Sequence, residues 1–385
     1  MQPANTSFNL NHSGTRSAQG LTLIELMVAM AISVIVGIAI FEVFMQTEYG
    51  YLHNRGTGDI VNADRHALHV VSNYLSNAGY GMAGLPGCQT IYTYQNGAIT
   101  PVSAITVSPS GIPSTSTPPP VSLTINMSAS EFAGVPMGQM VQKIPSRSAT
   151  DFHLNSTGAG TSCQTNIQSG DMLIAAFGGG TCGMVVATGT PSSQRGACVI
   201  NFAPGRNPIN PSGGFNSLIP NLTTAEMAAA QVYDVGNGQL SNLTFSVVPG
   251  TAAGPGQLQL SSGGGTPALF AQGIDDLQVL FGFNTSGGQS VTSYGYFPTP
   301  QQLSANPSLI SDIRTVMVAM VAQSGLKTAG TVTPGQLLLI PAIPASESVT
   351  GSKLPAVYYQ PPAGVNSEQF NVMRTTVPVM NLIWH

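Results

Sequence analysis

The feature that most constrains this chain is the run from Gly20 to Phe41, G-LTLIELMVAMAISVIVGIAIF. From Leu26 to Phe41 it holds no charge and no proline. With Leu21 to Ile24 counted in, it is as long as a helix needs to cross a bilayer, about 20 residues. Its Leu, Met, Ala and Ile suit a helix, and Gly37 is the one soft spot. The run reads as a membrane helix.

A single acid, Glu25, breaks it. A carboxylate near the end of a spanning helix costs a few kcal/mol unless it snorkels into the headgroup layer or meets a partner. A cut after Gly20 would supply that partner, because Leu21 would then carry a new ammonium one helical turn from Glu25. The heptapeptide G-L-T-L-I-E-L resembles the signature of type IV prepilins, with Leu21 where phenylalanine is usual. The resemblance implies cleavage by prepilin peptidase between Gly20 and Leu21, N-methylation of Leu21, and Glu25 as the charge partner of a neighbouring subunit. Residues 1–20 fit a prepilin leader. They are polar, hold Arg16 as their one Lys or Arg, and lack the apolar segment of a secretory signal. Arg16 favours a cytoplasmic N-terminus, leaving the rest of the chain outside the cytoplasm.

The 385 residues leave room for two ordinary domains or one large one beyond the helix. Only 7% are charged, against about a quarter in a typical soluble domain. With a net charge of −4 there is no basic field to hold nucleic acid. Such a Gly-, Ser- and Asn-rich surface suits an extracytoplasmic β-rich protein or a polymer subunit. Cys88, Cys163, Cys182 and Cys198 all follow the membrane helix. They form no CxxC and lack a histidine cluster, which argues against zinc. An even count in a translocated domain reads as two disulfides with three possible connectivities. The leading expectation pairs Cys182 with Cys198 across a hairpin centred near Thr190-Pro191, a loop of roughly 17 residues gaining about 3 kcal/mol. Cys88 with Cys163 follows by elimination.

After Phe41 the chain turns amphipathic. Gly50, Gly56 and Gly58 predict a kink or short break, and Asp59 a new N-cap. Ala67, Leu68, Val71, Tyr74, Leu75 and Ala78 lie on one helical stripe, and Asn77-Ala78-Gly79 is a C-cap signal. Residues 21–80 are thus expected to be helix, roughly 80 to 90 Å if unbroken. Residues 81–385 are expected to be a head, with a low-complexity Pro/Ser/Thr loop near 100–120. Short β-like runs recur at Val121–Met127, Asp171–Phe177, Gly183–Ala187, Leu243–Val248, Leu277–Phe283, Ile313–Ala322, Gln336–Ile340 and Gln369–Val379. They read as strands of a large antiparallel sheet. Thr223–Ala230 reads as a short helix with a Thr cap. The fold class is α+β: a long membrane-spanning helix packed on a mainly antiparallel β head.

The helix pattern Arg65-x-Ala67-Leu68, ending in Ala78-Gly79-Tyr80 ahead of Cys88, is similar to the PilW family of minor pilins. GDMLIAA, GIDDLQVLFGF, DIRTVMVAMVAQS and FNVMRTTVPVMNL resemble its strands in the same order, with unmatched loops at roughly 95–160 and 189–240. The resemblance implies a pilin-like fold, a single-pass inner-membrane subunit with a periplasmic head, and later incorporation in a pilus at the cell surface. Its implied partners are other minor and major pilins, prepilin peptidase, the inner-membrane assembly platform and a tip adhesin. The implied function is priming or tip assembly of pili that serve twitching, adhesion and DNA uptake, without a cofactor. Two other readings stand beside it: a type II secretion pseudopilin, and a membrane-tethered ectodomain with a ligand-binding or enzymatic role.

Other motifs are weaker. Asp275-Asp276 reads either as a cation-binding pair or as a strand-leading turn, and no DxDxDG loop surrounds it. Gly178–Gly180 and Gly263–Gly265 lack the GK[ST] of a phosphate loop, and no G-x-S-x-G elbow exists. His66 and His69 stand at i and i+3 without a third ligand, a helix surface. The aromatics at Tyr92–Tyr94, Tyr294–Phe297 and Tyr358–Tyr359 read equally as contact surface or core. No enzyme emerges.

Overall fold

The computed structural model describes residues 22–83, 85–86, 88–95, 97–130, 136–139, 150–155, 163, 167–177, 180–194, 197–219, 230–237, 241–251, 254–326, 335–365 and 368–383. The chain divides into two compact units between Leu52 and His53. Helix α1 (Leu23–Ser76) contributes to both. In the first unit every described side chain is exposed except Met45 and Leu52, which are half-buried. In the second, Ile60, Ala67, Leu68, Val71 and Leu75 are buried. Their spacing puts them on one helical face. The expected stripe is present.

Two expectations for this helix are corrected. It continues through Gly50, Gly56 and Gly58, and Asp59 lies within it instead of capping a new one. A helical glycine costs up to about 1 kcal/mol relative to Ala. At Gly56, however, a Cβ would stand 2.9 Å from Ser324 Oγ, so the glycine admits close approach of the head. Thr57 Oγ1 donates to Gln369 Oε1 at 2.9 Å, and the Gln369 amide also meets His53 Nδ1. Tertiary contact outweighs propensity here. Past Ser76 the chain turns, and Gly79 adopts φ 76°, the left-handed conformation that its C-cap signal predicts.

The head holds five sheets among the described residues. The six-stranded sheet runs β2 (Ala98–Val102), β1 (Cys88–Gln95), β8 (Gly180–Val186), β7 (Asp171–Ala176), β11 (Gln231–Asn237) and β5 (Pro136–Gln139). The five-stranded sheet runs β14 (Ala268–Gln272), β13 (Gln257–Ser262), β12 (Ser241–Val248), β4 (Ser122–Met127) and β3 (Ile105–Ser108). The four-stranded sheet runs β16 (Ser293–Gly295), β15 (Ile274–Phe283), β17 (Ile313–Gln323) and β20 (Phe370–Pro378). Smaller sheets join β6 (Asp151–Asn155), β10 (Ala197–Asn201) and β9 (Ser192–Gln194), and β18 (Leu337–Ile340) with β19 (Val357–Tyr359). Every pairing is antiparallel except β1 with β8. All eight predicted strand runs are strands. The single large sheet is corrected to several.

Packing explains the division. One face of β15 and β17 (Leu277, Val279, Val316, Val318) joins the α1 stripe and the inward side chains of the five-stranded sheet, Ile105, Leu123, Ile125, Phe245 and Leu258, in one core. The other face (Leu280, Ala319, Val321) packs on Leu339 and Val357 of the two-stranded sheet. A strand buried on both faces reads as an unbroken apolar run instead of an alternation. The six- and three-stranded sheets build a separate core, in which Phe152 lies 4.6 Å from Phe202 and 5.5 Å from Phe215 between ring centroids.

The low-complexity loop is also corrected. Its first part contributes to β2 and forms β3, and residues 109–120 form a strap held at several points. Gly111 N donates to Phe297 O at 2.8 Å, Tyr358 N to Ser116 O at 2.7 Å, and Gln278 Nε2 to Pro119 O at 3.0 Å. Of the expected helix Thr223–Ala230, all but Ala230 lies outside the described residues. Among the aromatics weighed earlier, Phe297 and Tyr359 are core, while Tyr92, Tyr94, Tyr294 and Tyr358 are half-buried.

Leu75 is fully buried in the core that α1 shares with the sheets. Leu75→Ala is expected to destabilise the head by about 2–5 kcal/mol. Chemical denaturation followed by circular dichroism checks this; an unchanged midpoint would contradict the packing of α1 on the head.

Candidate functional site

The start of the apolar helix is built from Thr22 and Glu25. Thr22 N and Thr22 Oγ1 each donate to Glu25 Oε2 at 3.0 Å, and Glu25 N donates to Thr22 Oγ1 at 3.3 Å. This reciprocal capping box satisfies orphan donors of the first turn. It also fixes one carboxylate oxygen and leaves Oε1 without a partner among the described residues. Behind it, Leu23 to Phe44 exposes Leu, Ile, Val, Met and Phe around the whole helix circumference. The most apolar 18-residue window has a mean hydropathy of 2.6 and no buried residue, so by length and composition the helix is able to cross a membrane. Ser33 Oγ donates to Ala29 O at 2.7 Å, so that hydroxyl is satisfied within the helix, as a lipid environment requires. Gly20 and Leu21, the expected cleavage and methylation residues, lie outside the described residues.

All four cysteines form disulfides, in a connectivity that corrects the expected one. Cys88 pairs with Cys182 at a Cα–Cα separation of 5.5 Å, and Cys163 with Cys198 at 5.1 Å. The expected Cys182–Cys198 hairpin fails because the two strands lie in different sheets. Cys182 is on β8, whose parallel neighbour β1 begins with Cys88. Cys198 is on β10, between β6 and β9. The bonds span 94 and 35 residues. On the chain-entropy model they stabilise by about 4.7 and about 3.8 kcal/mol.

Among the acids buried in this lightly charged chain are Asp64, Asp275 and Asp276, and the sequence reading passed over the first. Asp64 lies on the buried face of α1, and neither carboxylate oxygen has a hydrogen-bond partner among the described residues. Burial pushes its pKa up to about 7. Its place one turn before Ala67 and Leu68, on their stripe, was the available signal. Asp275 and Asp276 sit at the start of β15, inside the strand instead of in a turn before it. Asp275 Oδ1 accepts from Gly256 N at 2.6 Å and Oδ2 from Tyr359 Oη at 2.9 Å. Gln278 Nε2 donates to Asp276 Oδ1 at 3.0 Å. Burial raises Asp275 to about 6, against these hydrogen bonds, and Asp276 to about 7. The Asp275 carboxyl ties β15 to the Gly256 loop and to β19, whereas Asp276 bonds within its own strand. No cluster of three His, Cys, Asp or Glu able to hold a metal occurs among the described residues. His66 stacks on Phe270 with centroids 5.9 Å apart, whereas His69 meets Asn73, so the two do not share a site.

A family model described as the prokaryotic N-terminal methylation motif matches residues 15–41, a type IV prepilin-like signal. No curated protein and no solved structure matches the chain. The motif, which covers Gly20, Leu21 and the capped Glu25, supports a type IV pilin- or pseudopilin-like protein. With the apolar helix behind it, it also supports membrane anchoring and pilus-related partners in general.

Peptide mapping under non-reducing conditions is expected to recover Cys88 linked to Cys182 and Cys163 linked to Cys198, with no Cys182–Cys198 peptide. The acids set a pH dependence. A carboxyl whose folded pKa is raised above the unfolded value binds protons more tightly in the fold, so stability falls as pH rises through that interval. For Asp64 the interval runs from 3.8 to about 7. Melting temperature is therefore expected to drop between pH 5 and pH 8. Asp64→Asn should raise it at both pH values, with roughly 1–3 kcal/mol more added stability at pH 8 than at pH 5. Equal shifts at both pH values would contradict a buried, titrating Asp64.

Proposed function

We propose that the chain is a minor pilin resembling the PilW family, cut after Gly20, methylated on Leu21 and assembled through the apolar part of α1. The methylation motif at residues 15–41 carries this reading, and the exposed helix and large β head are consistent with it. The proposed mechanism is physical and not catalytic. Apolar helices bundle in a filament core, where no water competes for polar groups. Glu25, held by Thr22, presents its remaining oxygen to the Leu21 ammonium of a neighbouring subunit and sets axial register. A charge-assisted pair in that low-dielectric setting is worth far more than at a wet surface. The size of the head favours a priming or tip position with other minor pilins over a repeating one. In this reading the subunit is inserted in the inner membrane with its head in the periplasm, then carried into the pilus. Pilus assembly, and through it twitching, adhesion and DNA uptake, is the process served.

Intact-mass and N-terminal peptide analysis of membrane-extracted protein, with and without prepilin peptidase, tests the pathway. The expected mature chain begins at Leu21 with one added methyl group. A chain still beginning at Met1 in both strains would overturn the reading in favour of a tethered ectodomain. Glu25→Leu is expected to insert and be cleaved normally yet drop out of sheared filaments. Recovery of that variant in filaments at the wild-type level would remove Glu25 from the register mechanism. Finding the wild-type chain in secretion fibres instead of pili would assign it to the pseudopilins.

A further inference from the structure

The outer face of the five-stranded sheet has a chemistry that pilus assembly does not use. Not one residue of β3, β4, β12, β13 or β14 is charged. Alternation along these strands sends Ile105, Val107, Leu123, Ile125, Phe245 and Leu258 into the core. Their neighbours therefore stand on the opposite face. Strand register aligns those neighbours in rows. Thr106 is opposite Thr124, Thr124 opposite Thr244, and Thr244 opposite Ser261. Beside it, Ser108 is opposite Ser122 and Ser246 opposite Gln259. None of these eight side chains is buried.

We propose that this face binds a neutral, extended polysaccharide. Charge complementarity selects the partner: a charged polymer would lose hydration there and gain no ion pair. The face carries no aromatic or arginine anchor of the kind that dominates protein–protein contacts. Hydroxyls and amides both donate and accept, as sugar hydroxyls do. Adjacent strands place them about 4.8 Å apart. That is close to the length of one sugar unit in an extended glycan, so the first row, about 14 Å long, spans three units. The array is also pre-organised. Threonine is stiff at χ1, and Thr124 Oγ1 lies 2.8 Å from Thr244 Oγ1, which in turn donates to Asn242 Oδ1 at 3.2 Å. Less side-chain freedom is then lost on binding. Exposed Val248 and Leu269 border the rows and offer apolar contact to the C–H faces of the sugars.

The test is co-sedimentation of the purified full-length protein, in detergent, with microcrystalline cellulose and with chitin at two salt concentrations. Retention on at least one polymer, insensitive to salt, is expected. Thr124→Lys and Thr244→Lys should each weaken it at least tenfold while circular dichroism and melting stay near wild type. Leu338→Gln, on another sheet, should bind as wild type does. No retention on either polymer, retention abolished by salt, or equal retention by both lysine variants would overturn the proposal. If a lysine variant fails to fold, Ser246→Lys in the adjacent pair replaces it with the same expectation.

Discussion

The head depends on one contact, the burial of the α1 stripe from Ile60 to Leu75 against two sheets at once. Neither sheet closes a core alone. The five-stranded sheet offers one apolar face, and the β15–β17 pair offers another beside it. A layer of secondary structure with one apolar face must bury it against another element. Here the helix is that shared layer. Residues 53–76 therefore belong to one compact unit with the head.

What the sequence made legible was local. Apolar spacing marked the stripe, apolar runs marked the strands, and the GLTLIEL heptapeptide lies within the matched methylation motif. What it hid was long-range. The parallel pairing of β1 with β8 joins segments about ninety residues apart, and nothing local in TCGMVVA distinguishes Cys88 from Cys198 as a partner. The apparent hairpin about Thr190-Pro191 failed because β9 (Ser192–Gln194) intervenes and pairs with β10 first. Gly56 looked like a breaker because the Ser324 surface that needs it lies far along the chain. The strap read only as a low-complexity loop for a similar reason: its anchors at Phe297, Gln278 and Tyr358 are remote in sequence.

The scarcity of charge gives the remaining charges structural weight. Arg314 is buried, and its guanidinium donates to the carbonyls of Gly288, Ser311, Ile313 and Leu382 at 2.9, 2.5, 3.1 and 3.5 Å, gathering the 288 loop, the start of β17 and the 382 segment. Asp275 does the same in the opposite sense, accepting from a loop amide and a tyrosine. Asp64 differs. It is buried with no hydrogen-bond partner among the described residues, so its ionisation opposes the packing around it.

The shared helix also bears on mechanics. A pull along α1 reaches the head through side chains interlocked over about 22 Å between Ile60 and Leu75. It does not act first on the turn after Ser76. Such a load acts in shear on many contacts together, supplemented by the Gln369 bonds to His53 and Thr57. Failure then requires sliding the whole stripe at once, whereas a helix joined end-on would peel away one contact at a time.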